Sequence, residues 1–295
     1  KIIRGKTKTF ILNQNSGFII IDDNGNLAKT KMIKGGNVWS IAPGNVSELV
    51  VAADDKTIRV LDTELNEINA YNSNIKGPKS AIKIDDKIYV ASGKGFVTID
   101  INNKNILQIL DGAFFIVKTS KDGGSLYIGS TSGSVFQYFI DTGFSKEYLI
   151  DKGNPIFDIK EYKGALLVAS QGGLFKLQDV SVTPLYTKQL VISIDVFSEK
   201  ILFGTGNSLN EFNIDMHTSI SLYSNEKPIF SISQNEEYII ASSTNELYIK
   251  DKKSKNQYIL NKTLGIQEEY NAQSIYKSNT NIYIGGITGV SLLSI

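Results

Sequence analysis

Short stretches in which apolar and polar residues alternate recur along the whole chain, as in TIRVLD at residues 57–62 and FVTID at residues 96–100. Residues with turn preferences, chiefly Gly, Asn, Asp and Ser, separate these stretches about every 8–12 positions. Alternation with period two, together with β-branched and aromatic side chains, predicts short β-strands that follow one another in a meander. Because no segment has a long apolar period of about 3.6 residues, we expect almost no helix.

The strand pattern repeats with a period of about 40 residues. The centres of the second strand in each repeat lie 35–44 residues apart, at Phe10, Val50, Tyr89, Tyr127, Leu167, Leu202, Ile239 and Tyr283. An aspartate that follows the third strand recurs every 36–41 residues, at Asp22, Asp62, Asp100, Asp141, Asp179, Asp215 and Asp251. These two registers agree and define eight units, approximately 2–35, 36–76, 77–112, 113–152, 153–188, 189–226, 227–270 and 271–295. We predict that all eight belong to one domain, residues 1–295.

Two features of the repeat have a local physical explanation. Very small residues end the second strand of the units, for example Ala91-Ser92, Ala169-Ser170 and Gly204-Thr205. We expect that only small side chains fit there because the innermost strands are crowded. The recurring aspartate is expected to accept hydrogen bonds from backbone amides two or three residues later and so to close the next turn.

A four-stranded sheet with two apolar faces cannot bury both alone, so copies are expected to pack face to face around a ring. The predicted fold class is therefore all-β, a β-propeller of four-stranded antiparallel blades. Eight blades are preferred and seven are the alternative. The segment at residues 2–4 could form the inner strand of the first unit, or it could complete the last unit, which ends after its third strand.

The segment SELVVAADDKTIRVLD, residues 47–62, resembles the WD40 repeat, in which an apolar strand precedes D-x-K-T-I and a second strand. Leu61 stands where that pattern has tryptophan. The architecture also resembles quinoprotein-like eight-bladed propellers, including those of the outer-membrane assembly scaffold type. Either resemblance implies a β-propeller.

Composition narrows the function classes. The 31 basic and 30 acidic residues leave almost no net charge, which argues against a nucleic-acid partner, and no apolar run is long enough for membrane insertion. Cysteine is absent, and the single histidine, His217, falls in a predicted turn. We therefore expect no catalytic residue, no metal site and no cofactor. A chain without cysteine favours a bacterial extracytoplasmic location, with the cytoplasm as the alternative.

Candidate contact residues come from the loops before each first strand and the turns between second and third strands, which should gather on one rim. They are Asn37, Asp54, Asp55, Lys79, Lys94, Phe114, Gln171, Asn207 and Asn245. Aromatic residues at matching positions of four first strands are instead predicted to belong to the core between blades; they are Trp39, Phe115, Phe157 and Phe230.

The predicted function is a non-enzymatic scaffold that binds one or more protein partners through loops on a rigid ring. Two alternatives stay open. One is an accessory propeller of a larger periplasmic enzyme system. The other is a sensor or enzyme that binds a small molecule in the axial channel.

Overall fold

The computed structural model describes residues 2–294 except 5–7, 14–16, 23–26, 33–37, 44–47, 54, 74, 76, 265–269, 278–280 and 287–289. In this part of the chain nearly all regular structure is β-strand, and the only helical segment is a 3-10 turn, Lys262–Leu264. The all-β prediction is confirmed.

The strands form consecutive antiparallel sheets. The first four sheets contain β1 (Ile2–Arg4), β2 (Lys8–Asn13), β3 (Gly17–Asp22), β4 (Leu27–Lys31); β5 (Val38–Pro43), β6 (Glu48–Ala53), β7 (Thr57–Asp62), β8 (Glu67–Asn72); β9 (Pro78–Ile84), β10 (Lys87–Ser92), β11 (Gly95–Asp100), β12 (Ile106–Leu110); and β13 (Phe114–Thr119), β14 (Ser125–Ser130), β15 (Ser134–Phe139), β16 (Ser145–Leu149). The remaining sheets contain β17 (Ile156–Tyr162), β18 (Ala165–Ser170), β19 (Gly173–Gln178), β20 (Ser181–Tyr186); β21 (Val191–Phe197), β22 (Lys200–Thr205), β23 (Ser208–Asn213), β24 (Thr218–Ser224); β25 (Ser231–Gln234), β26 (Tyr238–Ser242), β27 (Glu246–Asp251), β28 (Gln257–Asn261); and β29 (Tyr270–Lys277), β30 (Asn281–Gly286), β31 (Val290–Ser294).

Within each sheet the strands lie in chain order, so every connection is a hairpin. Among the described residues, the last sheet has three strands and the others have four. Strand β1 pairs with β2, with Ile3 opposite Phe10. Residues 2–4 therefore form the inner strand of the first unit, and the alternative assignment to the last unit is wrong.

The chain forms two compact units, and the division between them runs through the fourth sheet. The first unit contains residues 1–131 and 136–146, and the second contains residues 132–135 and 147–295. The prediction of one domain stays a prediction.

Period-two alternation builds the core of each unit. In β10, Ile88 and Val90 pack in a cluster with residues of the second sheet, while Tyr89 and Ala91 pack in a cluster with residues of the fourth. Successive residues of a strand point to opposite faces, so one strand supplies both interfaces. In the second unit, Phe203 of β22 faces the fifth sheet and its neighbour Leu202 faces the seventh. Burying each such side chain stabilises the fold by roughly 1.5–3 kcal/mol.

The small residues that end the second strands are required by a close approach of the next sheet. A Cβ added to Gly204 would lie 2.6 Å from the carbonyl oxygen of Ile229 and 2.6 Å from Oγ of Ser193. Ser193 Oγ itself donates a hydrogen bond of 3.1 Å to that carbonyl. The prediction of crowding is therefore confirmed at Gly204, where one crowding atom belongs to the first strand of the same sheet and the other to the loop before the seventh sheet.

Three of the recurring aspartates close turns as predicted. Asp62 Oδ1 accepts hydrogen bonds from the amides of Glu64 (2.8 Å) and Asn66 (2.7 Å). Asp100 and Asp251 each accept two amides in the same way.

In the sixth sheet the role belongs to a different residue. Asn213 Oδ1 accepts the amides of Asp215 and Met216, so the prediction for Asp215 is wrong by two positions. Asp179 contributes differently: it has φ 57° in the two-residue turn between β19 and β20. Aspartate adopts this left-handed conformation more readily than most residues do.

Candidate functional site

In the second unit, the loops before first strands and the turns between second and third strands lie at the same end of each sheet. Ile156, which begins β17, pairs with Ser170, and Ser170 pairs with Gly173 across the next turn. Val191 pairs with Thr205 in the same way in the sixth sheet. We call this end of the fifth, sixth and seventh sheets the turn face; it comprises the turns 171–172, 206–207 and 243–245 and the loops 150–155, 187–190 and 225–230.

Each sheet of the turn face carries one exposed amide side chain that the sequence predicts to be a contact residue. They are Gln171, Asn207 and Asn245. Asn207 Oδ1 accepts a hydrogen bond of 3.3 Å from the Thr205 hydroxyl, which orients its amide group. A primary amide both donates and accepts hydrogen bonds, so it can bind the backbone of an incoming chain.

A β-bulge places one half-buried apolar side chain beside the turn of the fifth sheet and one beside the turn of the sixth. The pairing register shifts between Ile156 and Asp158 in β17 and between Val191 and Ser193 in β21. The extra residues are Phe157 and Ile192, and both are half-buried. Phe230 occupies the matching position before β25, where its amide donates to the Ser242 carbonyl at 2.9 Å.

The bulges correct the prediction for the aromatic residues of the first strands. Phe115, the extra residue of the β13 bulge, has 39% of its surface exposed, and Phe157 and Phe230 are half-buried. The side chain of Trp39 lies outside the described residues. A bulge adds one residue to the strand, which moves that residue out of the alternation and away from the packed face.

The residue before each bulge is buried instead, and this corrects one contact candidate. Phe114 is 1% exposed and packs edge-on against Phe136 with ring centroids 5.6 Å apart. Its neighbours in the core include Tyr89 and Phe96. Phe114 is therefore a core residue, because the bulge turns its side chain inward and leaves Phe115 as the extra residue.

The remaining candidates belong to the first unit or cannot be placed. Asp55 is engaged by its own turn: the Thr57 amide donates to it at 3.0 Å, and Arg59 forms an ion pair with it. Burial alone would raise the pKa of Asp55, but the bonds from Arg59 and Thr57 outweigh it and lower the pKa. Lys79 is half-buried at the bulge of β9, and Lys94 is exposed in the turn after β10. Asn37 and Asp54 lie outside the described residues.

Hydroxyl groups make the turns of this end rigid. Ser170 Oγ accepts the Gly172 amide at 3.1 Å, and Thr205 Oγ1 accepts the amide of Ser208 at 3.0 Å. Ser92 closes the corresponding turn of the third sheet by accepting the Lys94 amide. The serine and threonine at the ends of second strands therefore have a second role besides small size, which is to cap the following turn.

Two sets of side-chain hydrogen bonds, which we call latches, join the loop that follows one sheet to the turn between the second and third strands of the next sheet. Asp151 accepts hydrogen bonds from the Ser170 hydroxyl (2.5 Å) and the Gly172 amide (3.0 Å). Asn225 donates to Ser243 Oγ at 2.9 Å and to Glu246 Oε2 at 3.1 Å. Sequence reasoning missed both latches, because the polar residues involved lie in loops that vary between units.

Aspartate side chains of two first strands also form hydrogen bonds with the backbone of the first strand in the next sheet. Asp158 Oδ2 accepts the amide of Ile194 at 3.2 Å, and Asp195 Oδ2 accepts the amide of Gln234 at 2.9 Å. Burial raises the pKa of Asp195 to about 6, with a small further rise from the charge of Asp158, while Lys160 at 3.8 Å opposes the shift. Both carboxylates thus satisfy backbone amides on the otherwise unpaired edge of the next first strand.

The single histidine lies at the opposite end of the sixth sheet from the turn face. His217 is exposed in the turn after β23 and lies edge-on to Phe212, with ring centroids 6.4 Å apart. Among the described residues, no group of three or more His, Asp or Glu side chains is placed to hold a metal ion. No helix in that part is long and apolar enough to cross a membrane.

The comparisons with known proteins address the fold alone. No protein-family model and no curated protein matches the sequence. Among solved structures, the computationally designed protein Ika8 is similar with a TM-score of 0.81 at 13% identity, over 100% of this chain and 95% of that one. BamB from Moraxella catarrhalis is similar with a TM-score of 0.74 at 14% identity, over 99% and 92%. The extracellular domain of BT4673 from B. thetaiotaomicron gives a TM-score of 0.60 at 13% identity, over 99% of this chain and 37% of that one.

These likenesses, together with the consecutive four-stranded antiparallel sheets, fit a β-propeller fold. The WD40-like resemblance is not supported by any sequence match. The predicted β-propeller architecture is therefore supported, and membership of a particular repeat family is not.

Proposed function

We propose that the protein is a non-enzymatic scaffold that binds a protein partner on the turn face of its second unit. One observation carries the proposal. Three successive sheets place a half-buried apolar side chain beside an exposed amide side chain at the same end, and in the fifth and sixth sheets the apolar residue is the extra residue of a bulge. The pairs are Phe157 with Gln171, Ile192 with Asn207, and Phe230 with Asn245.

This arrangement has the composition that protein interfaces use. Aromatic and aliphatic side chains that are already partly buried lose little conformational entropy when a partner covers them. The amide groups beside them can satisfy the backbone of the partner without the desolvation cost of a charge. The turns that carry them are capped by hydroxyl groups and latched to neighbouring sheets, so the surface is preorganised.

The polar groups beneath the turn face support a scaffold rather than a reaction centre. Asp158 and Asp195 are the buried carboxylates nearest to it along the first strands, and both accept backbone amides of the neighbouring first strand. A carboxylate that accepts an amide of the next first strand holds the two strands together, which gives both residues a structural role.

We also propose that eight sheets close into one ring, with seven as the alternative. The assignment of β1 to the first sheet supports the count, because it makes that sheet complete without borrowing from the last. The likeness to Ika8 extends over the full chain, which supports closure. A closed ring would hold the turn face rigid from both sides.

Site-directed photo-crosslinking tests the binding proposal, and the absence of cysteine makes every label unique. Single cysteines replace Gln171, Asn207 or Asn245 and receive a benzophenone maleimide. Matched controls place the label in the turn at the opposite end of the same three sheets, at Val180, Met216 or Lys255, all exposed. Incubation with extract of the native organism should give the same crosslinked protein from the three turn-face positions.

The control positions should give only background. Phe157→Ala combined with Phe230→Ala should reduce the turn-face product at least tenfold, since hot-spot aromatic residues each contribute about 2 kcal/mol. Equal products from both ends of the sheets, or a product that is unchanged by the double substitution, would contradict the proposal.

A further inference from the structure

Each of the three loops on the turn face carries one exposed lysine. They are Lys152 in the loop before the fifth sheet, Lys188 in the loop before the sixth and Lys227 in the loop before the seventh. Within the described part of the chain, none of their ammonium groups forms an ion pair. A charge that has no counterpart inside the protein can pair with an opposite charge on another molecule.

The loop that carries Lys152 is fixed beside the turn that carries Gln171. The Gln171 amide donates to the Pro155 carbonyl at 3.1 Å, which joins this turn to the end of the loop. The Gly153 amide donates to the Ser132 carbonyl at 2.8 Å, which holds the middle of the loop on the turn of the fourth sheet. The backbone of Lys152 therefore has a defined position next to an exposed amide side chain.

The loops that carry the other two lysines both contact the turn of the sixth sheet. Leu190 of the first loop lies 3.4 Å from the position that a Cβ added to Gly206 would occupy. In the second loop, the Asn225 amide donates to the Asn207 carbonyl at 2.8 Å, and Asn225 Oδ1 accepts the Lys227 amide at 3.3 Å. Every lysine-bearing loop thus rests on a turn that carries an exposed amide side chain.

The acidic residues of the turn face leave most of this positive charge unopposed. Among the turn-face residues, all of which are described, the acidic ones are Asp151 and Glu226. The Asp151 carboxylate accepts the Ser170 hydroxyl, the Gly172 amide and the side-chain amide of Asn154, so both of its oxygens are engaged within the latch. A partner therefore meets three exposed lysines and one exposed glutamate.

The turns at the opposite end of the same three sheets have the reverse balance of charge. Two lysines there already form ion pairs: Lys163 with Glu199 at 2.6 Å and Lys253 with Glu237 at 3.3 Å. The positive charge therefore belongs to the turn face and not to the surface of the second unit in general. The charged residues of the opposite turns are Asp179, Glu199, Asp215, Glu236 and Glu237 against Lys163, Lys252, Lys253 and Lys255.

We infer that the turn face binds an acidic peptide segment of its partner, a segment rich in Asp and Glu that also presents apolar side chains. The inference rests on the proposed function and names the chemistry of the partner. The lysines pair with the carboxylates of the segment, and the exposed amide side chains hydrogen-bond its backbone. Its apolar side chains cover the half-buried residues Phe157, Ile192 and Phe230.

A peptide suits this surface better than a nucleic acid does. Proteins bind nucleic acids through many phosphate contacts made by a basic surface, and the turn face has three lysines opposed by Glu226. Its half-buried apolar residues would also have no counterpart on a phosphate backbone. Both features are matched by a peptide that combines carboxylates with apolar side chains.

Selection from a displayed library of random short peptides tests the inference with a defined probe. The full chain is immobilised, and the peptides that it retains should be enriched in Asp and Glu together with apolar residues. Fluorescence anisotropy then measures the affinity for a synthetic peptide of a selected sequence. That affinity should fall as the ionic strength rises from about 0.05 M to about 0.5 M, because salt screens exposed charges.

Charge reversal on the two ends of the sheets identifies where the peptide binds. The combined variant Lys152→Glu, Lys188→Glu and Lys227→Glu should bind the selected peptide at least about tenfold more weakly, since each exposed ion pair contributes a factor of about 1.5 to 5. The combined variant Lys163→Glu, Lys253→Glu and Lys255→Glu has the same net charge and alters exposed residues of the opposite end. It is the matched control and should bind the peptide like the unsubstituted chain.

Several results would overturn the inference: a selection that retains no peptide, selected peptides without an excess of acidic residues, or equal binding by the two charge-reversed variants. Duplex DNA that binds more tightly than every selected peptide would assign the face to a nucleic acid and would overturn it as well. The crosslinking experiment distinguishes these failures from failure of the proposed function. A labelled Asn207→Cys chain that captures its partner even with the three turn-face lysines reversed would leave the proposed function intact and contradict only the acidic segment.

Discussion

At the residue scale, the fold depends on side chains that neighbouring sheets leave no room to enlarge. The sequence shows that very small residues recur at the ends of second strands, so the close packing there could be predicted. The identity of the crowding atoms was not, since Ile229 is 25 residues from Gly204 and belongs to another unit of the repeat.

Gly204→Ala should destabilise the protein by roughly 1–3 kcal/mol, because its Cβ would overlap the Ile229 carbonyl. Gly206→Ala is the control, since the atom closest to its added Cβ is Leu190 Cδ2 at 3.4 Å. Urea denaturation followed by circular dichroism measures both. Equal midpoints for the two variants would show that the close approach at Gly204 is absent in solution.

The raised pKa of Asp195 gives a second residue-scale prediction. Burial disfavours the charged carboxylate, so its pKa is about 6 in the fold against an ordinary value of 3.8. Because the folded state then binds the proton more tightly than the unfolded state, Asp195 reduces the free energy of unfolding as pH rises from about 4 to about 6. The expected loss is about 2 kcal/mol.

Asp195→Asn removes this charge and keeps an oxygen that can accept the Gln234 amide. The free energy of unfolding of the unsubstituted chain, minus that of Asp195→Asn, should therefore fall across this pH window. A difference that is flat from pH 4 to pH 7 would mean that Asp195 is solvated in the fold.

At the element scale, strand positions followed from period-two alternation and from the turn residues that separate the strands. The eight second-strand centres all fall within the strands β2, β6, β10, β14, β18, β22, β26 and β30. The bulges could not be read from the sequence, so the matching positions of the first-strand aromatic residues predicted that Phe115 is buried, whereas Phe114 is the buried residue. A bulge carries no distinctive residue here, since the extra position of the first strands holds Phe, Ile, Lys or Trp.

The closure of turns by side chains can be tested by comparing two aspartates that follow third strands, Asp62 and Asp215. Asp62→Ala should lower the free energy of unfolding by about 1 kcal/mol, because it removes the oxygen that accepts two backbone amides in the turn between β7 and β8. Asp215→Ala should change stability little, because Asn213 closes the equivalent turn. Thermal unfolding of the two variants checks the contrast. A larger effect at Asp215 would contradict the hydrogen-bond assignment.

At the scale of the whole molecule, the repeat period predicted a chain built from successive sheets, and the likeness to solved structures fits a β-propeller. The partner could not be predicted, because binding residues on turns differ from unit to unit and follow no period. Closure of the ring was not derivable either, since the sequence pattern reports contacts between neighbouring units and is the same for a ring and an open stack.

Small-angle X-ray scattering of the full chain tests ring closure most directly. A closed ring of 295 residues should have the radius of gyration of a compact domain, about 19 Å, at high dilution. The distribution of interatomic distances should have one nearly symmetric peak. A clearly larger radius with a long tail in that distribution would mean an open stack, and the account of a rigid ring presenting the turn face would be wrong.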